Sequence, residues 1–134
     1  MPRTDILAPE VREFLATRVF AHLATSMEDG SPQVSPVWVE TDGDLIMVNS
    51  AVGRVKDRNI RRDPRVALSA VHPDDPYRCL MIRGRVERIT EVGAEEGIDR
   101  LARKYTGSDR YEWRRPGEVR VLYSIRPTSV ATIP

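Results

Sequence analysis

Val19-Phe20-Ala21-His22-Leu23-Ala24-Thr25, then Glu28-Asp29-Gly30, then Gln33-Val34-Ser35-Pro36-Val37-Trp38-Val39-Glu40: this stretch decides the fold. Two runs of strand length flank Asp-Gly, a dipeptide suited to the positive backbone φ angles of a tight hairpin turn. In the second run Val34, Pro36 and Trp38 share one parity, and Ser35, Val37 and Val39 share the other. Pro32 and Pro36 have no N–H for a ladder, which puts this strand at a sheet edge or at a bulge.

Downstream, the turn Thr41-Asp42-Gly43-Asp44 leads into a strand from Leu45 to Asn49. Gly53 opens a helical stretch that must stop before Pro64, because the residue before a proline avoids the α region. Arg65 to Val71 reads as a strand, His72-Pro73-Asp74-Asp75-Pro76 as a loop, and Tyr77 to Ile89 as a long strand with Gly84 at a bulge or barrel corner. Ile98, Leu101, Ala102 and Tyr105 fall at i, i+3, i+4 and i+7, an amphipathic helix that Gly107 is placed to end. A last strand from Val119 to Ile125 is expected to close at Pro127. Upstream, Pro9 to Thr17 sets Val11, Phe14 and Leu15 on one face of a short helix. The pattern is mainly β with flanking helices and antiparallel connections. Six strands in so short a chain avoid long exposed edges most simply by closing into a small barrel.

With 134 residues the chain is expected to form a single domain spanning 1–134. Cys79 is its one cysteine, so no disulfide forms within the chain. His22 and His72 are too few to complete a zinc finger, and no metal site is expected. The 21 basic and 20 acidic residues leave a net charge of +1, without the basic excess of a nucleic-acid binder. No apolar run approaches the ~20 residues of a membrane span, and no signal-type apolar segment follows Met1. The expectation is a cytoplasmic protein with neither a membrane nor a nucleic-acid partner. There is no nucleophile elbow, Gly-x-Gly-x-x-Gly or Walker sequence. Cys79, in an apolar strand beside Leu80 and Met81, reads as a buried inert thiol, and His22 as structural. Glu95-Glu96 suits a helix start.

Charge is concentrated in one place. Lys56 and Lys104 are the only lysines, and Arg54 to Arg65 holds six basic residues against Asp57 and Asp63. Asn49-Ser50-Ala51-Val52-Gly53 leaves a strand through small residues, turns, and delivers Arg54 and Lys56 to a helix start. Unpaired N–H groups there favour an anion, the arginine fork suits phosphate, and the lysine adds a point charge. A solvated arginine-rich helix face is the other reading, and the residues alone leave both open.

The runs Ser35-Pro36-Val37-Trp38, Leu45-Ile46-Met47-Val48-Asn49 and Gly53 to Val66 resemble the pyridoxamine 5′-phosphate oxidase-like split β-barrel proteins. Asp74 to Arg78 and Arg83 to Glu87 fit the same pattern, and Lys56 to Arg65 carries the most specific part of it. Within these proteins the chain is most similar to the flavin/deazaflavin oxidoreductases that use coenzyme F420.

The resemblance implies a six-stranded antiparallel split β-barrel of the FMN-binding type. It further implies a homodimer with cofactor sites in the clefts between subunits. Arg54 and Lys56, with Val55 between them, match positions that hold the cofactor phosphate, and Asn59 is nearby. Gln33 and Ser35 match the strand bordering the deazaflavin ring, and Asn49 and Ser50 the strand end beneath it. Tyr77 matches an aromatic that reaches the neighbouring site. The implied activity is hydride transfer from reduced F420 to an unsaturated or quinone-like small molecule. FMN in place of F420, or cofactor binding without catalysis, are the alternatives. The residues by which the true oxidases recognise pyridoxal phosphate are not evident, and no catalytic residue stands out.

Overall fold

The computed structural model describes residues 6–133; the expectations for the start of the chain and for Pro134 lie outside them. In chain order the elements are α1 (Pro9–Ala16), β1 (Phe20–Ser26), β2 (Pro32–Val37), β3 (Val39–Asp42), β4 (Leu45–Ala51), α2 (Val55–Arg62), β5 (Arg65–His72), β6 (Asp75–Thr90), α3 (Ala94–Thr106) and β7 (Arg120–Ile133). All seven strands belong to one antiparallel sheet in the order β2-β1-β5-β6-β7-β4-β3.

The run from Gln33 to Glu40 is therefore two strands rather than one, and the sheet has seven rather than six. The break falls at Trp38, the only residue between β2 and β3. These two strands are the opposite edges of the sheet. The sheet must therefore curl until its edges meet at Trp38, joined by the chain and not by a hydrogen-bonded ladder. This is a split barrel. Pro32 and Pro36 lie on β2, an edge strand, facing Ser26 and His22 of β1, where a missing donor costs least.

Two boundaries differ from the sequence reading. The loop after Val71 is shorter than expected: β5 runs to His72 and β6 begins at Asp75. The His72 ring accepts the Asp74 N–H, and the Asp75 carboxylate accepts the Tyr77 N–H. The last strand does not close at Pro127 but continues to Ile133. The register slips between Arg83 and Gly84, so that Pro127 faces Gly84 while Ser129 faces Arg83. At that bulge the proline has no ladder bond to give up. Gly84 is required there, because a Cβ would lie 2.7 Å from the Arg126 carbonyl oxygen.

The barrel interior is filled by Leu15, Leu23, Ile46, Leu68, Ile82, Tyr123 and Ile125 among others. Val11, Phe14 and Leu15 bury the apolar face of α1. Ile98, Leu101 and Ala102 do the same for α3, which packs on β7 and β4 and ends at Gly107 with φ 80°. Cys79 is half-buried rather than enclosed, and His22 is exposed on the outer face of β1. Among the described residues no helix is long and apolar enough to cross a membrane.

Candidate functional site

The turn from β4 into α2 is built from below. Gly53 has φ 91°, in the left-handed region that favours glycine. Its N–H donates to Asp57 Oδ2 at 3.0 Å, and its carbonyl accepts Arg58 Nη1 at 2.7 Å. Asp57 is buried and also accepts the Tyr123 hydroxyl at 2.7 Å and Arg61 Nε at 3.1 Å. Burial pushes the Asp57 carboxyl upward, but the bonds from Gly53, Tyr123 and Arg61 outweigh it and hold it below the usual carboxylate value. The Tyr123 phenol moves the other way, raised by burial and then by Asp57. The helix start is thus pinned from the core, with Arg54 and Lys56 facing a cleft.

That cleft encloses about 640 Å³ and is lined on one side by Asn49, Arg54, Lys56 and Arg120. Arg120 is buried; its Nε donates to Asn49 Oδ1 at 2.9 Å and its Nη1 to Glu118 Oε1 at 3.0 Å. Asn49 in turn donates to the Ala94 carbonyl at 2.8 Å. Arg54 Nη2 reaches the same Glu118 oxygen at 2.9 Å. Lys56 is half-buried, and its ammonium has neither a hydrogen bond nor an ion pair among the described residues. Burial first, then the charges of Arg54 and Arg120, hold it below the ordinary lysine value.

The other wall is aromatic. Trp38 stacks on Tyr105 with centroids 5.3 Å apart and planes within 6°. It meets Tyr111 edge-to-face at 6.0 Å and Trp113 at 5.9 Å. Val37, Ile98 and Leu101 add apolar surface. Lys104 supports this wall from behind. Its ammonium donates to the Leu15 and Val39 carbonyls at 2.7 and 2.6 Å and lies 4.8 Å from the Tyr105 ring centre. Burial lowers its pKa to about 8 against an opposing pull from Glu40.

Of the residues singled out from the sequence, Asn49, Arg54 and Lys56 come together in this cleft. Val55 is exposed on the first turn of α2. Ser50 is fully buried beneath, beside the Tyr123 phenol. Asn59 and Gln33 meet elsewhere, through Thr25. Asn59 Nδ2 donates to Thr25 Oγ1 at 3.0 Å, and Thr25 Oγ1 donates to Gln33 Oε1 at 2.9 Å, a chain tying α2 to β1 and β2. The Ser35 hydroxyl is buried without a partner among the described residues. Tyr77 is 81% exposed and lies outside the cleft lining.

The basic segment is divided in use. Arg61 holds Asp57, Arg62 holds the Ser26 carbonyl and Asn59, and Arg65 holds Asp63, leaving Arg54 and Lys56 to the cleft. Arg120, Glu118 and the aromatic wall were not found from the sequence as site residues. Tyr111-Glu112-Trp113, two large aromatics in a polar loop, is the signal that could have disclosed the aromatic wall.

The donor set fits a phosphate-bearing, flat-ringed cofactor. Three cations converge, one of them unpaired, and a planar ring finds aromatic and apolar walls in a cleft of ordinary ligand-site size. No cluster of three or more potential metal ligands occurs among the described residues.

Residues 7–133 match the sequence profile of the pyridoxamine 5′-phosphate oxidase family. A solved structure described as an F420 reductase is 34% identical, with 90% of this chain and 94% of that chain covered and a TM-score of 0.78. A conserved hypothetical protein of Mycobacterium tuberculosis is 23% identical over 99% of this chain and 89% of its own, with a TM-score of 0.72. A FAD-binding protein of Mesorhizobium loti is also 23% identical, over 93% and 92%, with a TM-score of 0.67. The last two speak to the fold alone. With a profile match running almost end to end over a split barrel, the chain belongs to the pyridoxamine 5′-phosphate oxidase family.

Proposed function

We propose that the protein is an oxidoreductase that binds coenzyme F420 and reduces an unsaturated or quinone-like small molecule. The observation that carries this reading is Lys56, an unpartnered, half-buried cation between two arginines, facing an aromatic wall across one cleft. The likeness to an F420 reductase at 34% identity supports the choice of cofactor.

When bound, reduced F420 supplies a hydride. Arg54 and Lys56 fix the phosphate, while Asn49 and Arg120 stiffen the strand end beside it. Trp38, Tyr111 and Trp113, with Ile98 and Leu101, seat flat rings and keep water from them. In this reading the proton is supplied by solvent water.

One observation favours a second reading, FMN. Arg61, Arg62 and Arg65 are engaged in local bonds, so the basic tract offers an acidic cofactor tail less free charge than its composition suggests. Passing the protein over a desalting column with oxidised F420 or with FMN tests the choice. Retention of F420, followed by turnover of reduced F420 with quinone and enone acceptors, supports the first reading; retention of FMN alone replaces it.

The working unit in this reading is a homodimer. Val34 and Met81 are exposed apolar side chains lining a groove of about 380 Å³ floored by small residues such as Ala24 and Ala131. Such a face suits a second copy, and in this reading the exposed Tyr77, near the start of β6, is the aromatic that crosses to the partner's cleft. Sedimentation at micromolar concentration is expected to give a dimer; a stable monomer removes the shared site.

A further inference from the structure

Two of the three cations in the cleft share one carboxylate oxygen. Glu118 Oε1 lies 2.9 Å from Arg54 Nη2 and 3.0 Å from Arg120 Nη1, and the Glu118 side chain is only 9% exposed. Its second oxygen meets the Arg115 N–H at 3.4 Å. The two arginines differ in freedom. Arg120 is buried, bonded to Asn49 and laid 5.1 Å from the Tyr111 ring centre. The Arg54 side chain is 44% exposed, stands just before α2, and has Glu118 as its one acceptor among the described residues.

We propose that Glu118 is a built-in competitor for the phosphate: it holds Arg54 until a ligand phosphate takes that guanidinium over together with Lys56, and thereby sets the affinity of the site. The proposal rests on the phosphate reading of Arg54 and Lys56. A single carboxylate oxygen engages Arg54 through one nitrogen, leaving most of its planar fork unused. A phosphate offers several oxygens, enough for the fork and for the unpartnered Lys56 ammonium at once. Glu118 cannot follow the ligand, because its bond to the fixed Arg120 keeps it in place. A bound phosphate therefore wins Arg54 against a standing ion pair and beside a like charge. Asp57, the buried acid at the start of α2, is committed to Gly53, Tyr123 and Arg61 and leaves this competition to Glu118.

The test uses inorganic phosphate as the probe, titrated calorimetrically into the full-length protein and three variants. Glu118→Gln keeps an amide oxygen for Arg120 and removes the competing charge, and it is expected to tighten phosphate binding about three- to tenfold. A gain is not what the loss of a purely structural contact produces. Where Glu118→Gln does not fold, because buried Arg120 has lost its counter-ion, Glu118→Gln with Arg120→Gln removes both charges. That double variant is still expected to bind phosphate more tightly than the parent, by a smaller margin, despite having one cation fewer. Unchanged or weaker binding in the variants that fold overturns the proposal. Lys56→Ala separates this from the underlying reading. If it loses phosphate binding while the Glu118 variants gain nothing, the site stands and the competitor role falls. If Lys56→Ala binds like the parent, or no protein binds phosphate, the site itself is wrong and the proposal falls with it.

Discussion

Tyr123 and Asp57 join the barrel core to the start of α2: the phenol, fully buried on β7, donates to the carboxylate across 2.7 Å. Asp57 passes that anchorage on to the Gly53 N–H, so the turn carrying Arg54 and Lys56 is held by a bond made in the interior. Tyr123→Phe should destabilise the protein by about 1–3 kcal/mol, the range for stripping one partner from a buried acceptor. Chemical denaturation checks this. Asp57 keeps Gly53 and Arg61, so phosphate binding should weaken much less than on loss of Lys56.

The two tryptophans of the chain, Trp38 and Trp113, both line the cleft. Intrinsic tryptophan emission therefore reports on the cleft and on nothing else in the protein. Saturation with F420 or FMN should quench most of it, and Trp113→Phe should retain quenching through Trp38. Emission unchanged by a cofactor that is retained on a desalting column would place the ring away from the aromatic wall.

Lys104 makes stability depend on pH in an uncommon direction. Its pKa is lowered to about 8 in the folded protein, against about 10.5 for an ordinary lysine. Between these values the unfolded chain binds more protons, so this residue's contribution to stability rises with pH across the window. Neutral Lys104 still has donors for the Leu15 and Val39 carbonyls. Measured against Lys104→Met, which does not titrate there, the parent should gain stability from pH 8 to pH 10. A flat or falling difference would show that the ammonium is not desolvated as the structure has it.

The hairpin, the antiparallel order and the amphipathic α3 were legible because turn dipeptides and apolar spacing act locally. The break at Trp38 was not, since nothing in Gln33 to Glu40 itself requires a corner; closure of the sheet imposes it. Pro127 misled for a related reason, its tolerance depending on Gly84 more than forty residues earlier. Within the site, Arg54, Lys56 and Asn49 could be read because they follow one another along a strand–turn–helix unit. Arg120 reaches the same cleft from β7, and Glu118 meets Arg54 and Arg120 from the loop before that strand, a proximity only the sheet order creates. Asn59 enters through the family resemblance, as a residue near the phosphate-binding pair; on α2 it is buried and bonded to Thr25.

The central claim is that Lys56 holds the phosphate of the cofactor, and the most direct measurement is cofactor affinity in Lys56→Ala beside Arg65→Ala. Arg65 belongs to the same basic segment but is exposed and paired with Asp63, which makes it a better control than Arg61, whose partner Asp57 supports the turn. One charge-assisted hydrogen bond contributes roughly 1.5–3 kcal/mol, so Lys56→Ala should weaken binding about 10- to 100-fold. Its stability should shift by less than about 0.5 kcal/mol, since the ammonium has no partner to lose. Arg65→Ala should stay within about twofold of the parent. Equal, small losses in both variants would contradict the account and return the segment to plain surface charge.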